Sequence, residues 1–260
     1  MIDLVILLPE PLLLGLFAVI LALLIVVLPR LIHRIPLFAP NEHNTDFILR
    51  IQHPLFTMTS LVLAFTMVQA DTNFRQVQAL VSSEAAQINQ LDRLLTRYGD
   101  SLASEIRPLL HAYASSIVKD DWPAKLRYHG SEATRSAFMP ISRHVLAMTP
   151  ATGRQSLIFA EILKTLDQVA ESRASRLNTV SVGLPAIYWE VMIFAVAMLV
   201  LVSCTIDQTP FRAVVLAAQM AVLGAFVGFV VDMDQPFKGP TSVKPDALIE
   251  VIATMKSRTE

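Results

Sequence analysis

Two carboxylates at the end of an apolar run are the residues best placed to do chemistry: Asp232 and Asp234, in GFVVDMDQPF. A helix ending there would set both against its partially negative C-terminus, so they need a compensating cation or arginine. Arg173 and Arg176, one helical turn apart in RASRL, approach the same membrane face. Two readings follow. Charges near a membrane usually pair, which gives a salt-bridge network. Oxygen clusters suit hard cations, which gives an ion site. Glu84 is a third candidate, because it falls on or beside an apolar stripe and should find Arg173 or Arg176 on an antiparallel helix. That contact would fix register, since buried charges seldom go unpaired; a part in ion selection is the alternative. Glu190 opens an apolar run and is expected at the membrane interface, a pathway position being the alternative.

Covalent chemistry has little support. The chain holds no GxSxG, HExxH, CxxC or phosphate-binding loop. His33, His43 and His53 share a loop, but ten-residue spacing is not a ligand pattern. The expectation is therefore no enzyme and no cofactor. Net charge is −1, which argues against nucleic acid as a partner. The single cysteine, Cys204, excludes a disulfide framework within one chain.

The elements that must position these groups are helices. Hydrophobic residues make up 53% and charged residues only 17%, where roughly a quarter is usual in a soluble domain. Mean hydropathy is +0.52, and the apolar excess lies in blocks. The main block begins at Pro54 and runs through LFTMTSLVLAFTMVQA into a polar stretch with no Gly or Pro before Gly99. One long helix over 54–98 is the simplest reading. At ~1.5 Å per residue it would reach roughly 65 Å, about twice a bilayer's hydrocarbon thickness. Half would cross the membrane and half would project into water. Phe74, Val77, Val81, Ile88, Leu91, Leu95 and Tyr98 recur with seam-like 3–4 spacing. A second stripe is polar but uncharged: Thr59, Thr66, Gln69, Asn73, Gln76, Ser83, Gln87 and Gln90, interrupted by Leu80. Unpaired polar groups are costly in lipid, so this stripe should meet other helices or water. It is either a hydrogen-bonded interface or the lining of a pore shared by several copies.

Three further spans are expected at about 11–28, 186–204 and 211–231. The first lacks a basic n-region and a small-x-small cleavage site, so it should remain as a span. Tyr188 and Trp189 suit an aromatic belt, and Gly224 and Gly228 form a GxxxG packing signal. Helices are expected at about 101–119, 131–148 and 153–182, with a chain break at Asp121-Trp122-Pro123. Their apolar stripes carry Leu102, Ile106, Leu109, Leu110, Tyr113 and Ile117 in the first, and Leu157, Ile162, Leu166, Val169 and Leu177 in the last. Pro245 should open a short tail helix. The fold class is thus all-α: a membrane protein with four transmembrane helices and a helical domain inserted between the second and third. Spans one and two occupy 1–70, the inserted domain 71–184, spans three and four 185–231, and the tail 232–260. Insert, tail and N-terminus share one side. Arginines and lysines flank both sides, so the positive-inside rule leaves orientation open.

Several of these stretches together resemble a bacterial bestrophin-like membrane domain family: SLVLAFTMVQADTNFRQVQALVSSEAAQI, Tyr113 with DDWP, RASRL, the Leu-Pro before span three, and DMDQPFKG followed by VKPDAL. The resemblance covers about 54–250, and its most specific part is DxDxPFxG. It implies a bestrophin-like layout with both termini and the insert in the cytoplasm of a bacterial inner membrane. Bestrophins are pentameric anion channels whose second span lines the pore and whose neck is apolar. On that likeness the partners are the lipid bilayer, small inorganic ions and further copies of this chain, as a homo-oligomer or pentamer. Leu61, Phe65 and Val68 become neck candidates, and Thr59, Thr66, Gln69 and Asn73 would face or flank the path. These are alternatives at different rotations of one helix. The contiguous acidic run of a bestrophin calcium clasp is missing after span four, which speaks against calcium gating. The leading function is an oligomeric, bestrophin-like ion channel, anion-conducting; the alternatives are a non-conducting membrane scaffold or sensor whose insert binds a partner and, third, an intramembrane enzyme.

Overall fold

A computed structural model describes residues 9–35, 42–99, 101–125, 130–179, 183–207, 209–234, 236–237 and 242–258. Every regular element among them is a helix. In chain order these are α1 (Glu10–Val27), α2 (Pro29–Ile32), α3 (Glu42–Tyr98), α4 (Ser101–Ser116), a π turn (Ile117–Asp121) running into α5 (Trp122–Lys125), α6 (Glu132–Leu146), α7 (Gly153–Thr179), α8 (Ala186–Cys204), α9 (Pro210–Met233) and α10 (Asp246–Ser257). Among the described residues four stretches are long and apolar enough to cross a membrane: Glu10–Ile32, Thr45–Tyr98, Ala186–Cys204 and Pro210–Met233. Lys238 and Gly239 of the DMDQPFKG motif, and 180–182 of the expected last insert helix, lie outside the described residues.

The second span differs from the expected one at its start. The helix begins at Glu42 and takes Pro54 into its interior. A proline removes one i→i−4 bond, here the one to the Arg50 carbonyl, but a membrane helix tolerates such a loss. At the other end Gly99 takes φ +75, the left-handed conformation that terminates a helix and that glycine adopts without strain. The helix is unbroken at Ala70, as its lack of interior breakers predicts.

The chain packs as two units, 1–74 with 183–242 and 75–182 with 243–260. In the first, α9 lies directly against α1. A Cβ added at Gly224 would lie 2.8 Å from Ala18 Cα, and closer still to the Phe17 carbonyl oxygen. At Gly228 it would meet Leu14 Cα at 3.3 Å. The GxxxG pair therefore lets two backbones touch, and dispersion between them is what holds helices together in lipid. Ile25, Leu63, Ala70, Met192, Leu199 and Met220 fill the core of this unit. Two polar contacts fasten it: Gln52 donates to the buried Ser203 hydroxyl at 3.1 Å, and a His33 ring nitrogen donates to the Cys204 carbonyl at 2.8 Å.

In the second unit the apolar seam of α3 is buried from Val77 through Tyr98. It packs with Ile106, Leu110 and Tyr113 of α4, Ile141 and Val145 of α6, and Ile162 and Val169 of α7. Tyr113 stacks obliquely on Phe138, with ring centroids 5.1 Å apart. Two expectations need correcting. Asp121-Trp122-Pro123 does not break the helix; the π turn carries it on into α5, which takes in Pro123. Leu157 is 77% exposed rather than part of the buried stripe, because it sits in the first turns of α7 before the core begins.

Candidate functional site

Within the first unit α3 has two unlike faces. Leu63, Ala70, Thr59 and Thr66 are buried against the unit's own helices. Thr59 donates to the Leu55 carbonyl at 2.8 Å and reaches the Ala195 carbonyl of α8 at 3.5 Å. Thr66 donates to the Val62 carbonyl at 2.9 Å. Bonding back to the i−4 carbonyl satisfies a threonine hydroxyl inside an apolar helix. Met58, Leu61, Phe65 and Val68 point away from the rest of the chain, with Leu61 55%, Phe65 64% and Val68 63% exposed. Their spacing of three, four and three places them in one line, and exposed Thr72 continues it. Gln69 and Asn73 lie between the faces, half-buried, and bond to each other at 3.0 Å. The neck candidates and the two threonines thus occupy opposite sides of one helix, with the amide pair on the flank.

The second unit holds a fully buried charge network. The Arg176 guanidinium of α7 donates through Nε to Glu84 Oε2, and through Nη2 to Glu84 Oε1 at 3.2 Å and Asp121 Oδ2 at 2.9 Å. Asp121 accepts a further bond from the Ser131 backbone N–H at 2.6 Å. Burial disfavours the guanidinium charge, but Glu84 and then Asp121 more than offset this, so its pKa stands above the ordinary arginine value. Tyr113 is buried beside them, and burial together with Glu84 drives its hydroxyl far above the usual phenol range. Glu84 thus meets Arg176 across α3 and α7. Asp121 was not anticipated: a π turn aims it inward, and no periodicity in DDWP signals that geometry.

Arg176, one of the two arginines expected near Asp232 and Asp234, is committed to Glu84 and Asp121. The Asp234 carboxylate instead accepts the Leu184 backbone N–H and the Trp189 indole N–H, at the N-terminus of α8. The positive end of one helix dipole offsets the negative end of another. Burial still raises the Asp234 pKa above the ordinary value, with these two bonds acting against it. Asp232 is buried. Arg173 is half-buried on α7. Among the described residues no cluster of three His, Cys, Asp or Glu side chains could hold a metal ion. A second network escaped the sequence reading altogether: Asp92 of α3 binds both Arg107 of α4 and Arg258 after α10, each at 2.8 Å. Asp92 shares the seam of Ile88, Leu91 and Leu95, so its burial was legible even though its partners were not.

A family model described as Bestrophin-like domain matches residues 16–248. A bacterial bestrophin homolog from Klebsiella pneumoniae, crystallised with a tyrosine-to-alanine substitution, superposes with a TM-score of 0.69 at 10% identity, covering 95% of this chain and 97% of its own. A crystal structure of a membrane protein with a proline-to-alanine substitution gives 0.67 at 12% identity, covering 96% of this chain and 98% of its own. At such identities the likeness is one of fold. No curated protein matches the chain.

Proposed function

The chain belongs to the bestrophin-like family, and from that premise we propose that it is an oligomeric ion channel of a bacterial plasma membrane, conducting anions. Copies of α3 gather round a common axis, and the line Leu61, Phe65, Val68 forms an apolar neck. The supporting observation is the exposure of that line while Thr59 and Thr66 are used up inside the subunit. A ring of Phe65 side chains would gate by dewetting. Thr72, Gln69 and Asn73 would supply an uncharged hydrophilic lining beside it, suited to weak selectivity. No covalent step is required of any residue. The insert, the tail and both termini lie in the cytoplasm in this reading.

Reconstitution in liposomes tests it. Chloride flux should appear with the purified protein, and Phe65→Ala should raise it several-fold. A well-folded oligomer without flux would leave a scaffold or sensor. Flux unchanged by Phe65→Ala would remove Phe65 from the neck.

A further inference from the structure

The second unit contains a cavity of about 520 Å³ between α4 and the tail helix α10. Its lining includes Asp92 of α3, Ser104, Arg107 and His111 of α4, and Lys256 of α10. Asp92 is 1% exposed, and both its carboxylate oxygens are occupied. Oδ1 accepts from Arg107 Nε and Oδ2 from Arg258 Nη1, each at 2.8 Å. Arg258 completes its fork on Asn89 Oδ1 at 2.8 Å.

Among the described residues the charges do not balance: one carboxylate, Asp92, faces two guanidinium groups, with the Lys256 ammonium on the pocket's lining. Arg107 Nη2 is buried and has no hydrogen-bond partner among the described residues. Lys256 has no ion pair among them either. A buried N–H left without a partner is costly, and surplus positive charge around a half-open pocket attracts anions. A guanidinium edge beside an ammonium and a hydroxyl suits a phosphate group, which has several acceptor oxygens. The volume exceeds what a bare halide would fill, and it falls in the range of small-molecule sites.

We propose that this cavity binds a small phosphate-bearing anion, held by Arg107 Nη2 and Lys256 Nζ, and that the bound anion fastens α10 onto α4. In the orientation proposed above, such a site would face the cytoplasm. It does not depend on ion conduction.

The test uses the full chain in detergent, titrated calorimetrically with inorganic phosphate and with ribose 5-phosphate, ionic strength being held constant with sodium chloride. Saturable binding of one phosphate group per chain is expected, together with slower hydrogen exchange in residues 246–258. Tighter binding of ribose 5-phosphate assigns the site to a phosphomonoester; equal binding assigns it to free phosphate, and both support the site. Lys256→Ala, at an exposed position, should weaken binding about tenfold, one lost charge-assisted contact, and abolish the added protection. The proposal falls if neither probe saturates, if sodium chloride alone gives the same protection, or if Lys256→Ala binds phosphate as the unaltered protein does.

Discussion

Arg176 keeps its charge in a fully buried site only because two carboxylates meet it there. Removing one member strands the others, which typically costs ~3–5 kcal/mol. Arg176→Met should therefore lower the thermal midpoint in detergent markedly, and Arg176→Lys should rescue little, since an ammonium lacks the fork that spans Glu84 and Asp121. A midpoint for Arg176→Met within a degree of the unaltered protein would show the network to be structurally idle. Asp234 gives a prediction in pH. Burial raises its folded pKa above the ordinary 3.8, the Leu184 and Trp189 bonds notwithstanding. The folded state then holds its proton more firmly than the unfolded one. Its stabilising share is complete below the ordinary value and is lost as pH rises through the folded one. Asp234→Asn retains an acceptor for Leu184 and removes the titration. Its stability should fall less between mildly acidic and neutral pH, and an unaltered slope would exclude Asp234 as the source.

At the scale of helices, α9 lies backbone to backbone on α1. Gly224→Ala would drive a methyl group into the Phe17 carbonyl and against the Ala18 backbone, which no rotamer change relieves. Overpacking of this kind costs about 1–3 kcal/mol. Gly15→Ala, where nothing lies within 4 Å, should be neutral or better. Equal melting temperatures for the two variants in detergent would refute the tight crossing. Helix spacing and breakers made most of these elements legible. Pro185 and Pro210 stand at the starts of α8 and α9, and Gly99 at the end of α3, so those limits fall within a residue or two of expectation. Pro54 misled because proline marks a helix start in water far more firmly than in a membrane. The neck candidates come from the family resemblance, and period adds only how they group. A 3.6-residue repeat picks out Leu61, Phe65 and Val68 as one line and Thr59 and Thr66 as another, but which line faces the subunit's own core depends on α8, whose Ala195 carbonyl receives Thr59. Asp121 and the Asp92–Arg258 contact join residues 55 to 166 positions away from their partners, which no local pattern encodes.

For the whole molecule, the question is what covers the outward line of α3. Exposed apolar residues also occur on the other spans, such as Phe194 of α8, 67% exposed, as lipid contact requires. Exposure alone therefore does not separate a pore neck from a lipid-facing surface. Proximity between subunits does. Cys204 is the only cysteine and is buried at the end of α8, so an introduced thiol can be read without interference. In an assembly around α3, Phe65→Cys side chains from neighbouring subunits converge within disulfide reach, about 5.5–6 Å between Cα atoms, or within that of a short bis-thiol reagent. Oxidation in native membranes should then yield covalent dimers, while Phe194→Cys, turned to lipid on α8, should stay monomeric on a denaturing gel. Dimers from Phe194→Cys and none from Phe65→Cys would reverse the arrangement, placing α8 between subunits and α3 in the lipid, and the proposed neck would be lost with it.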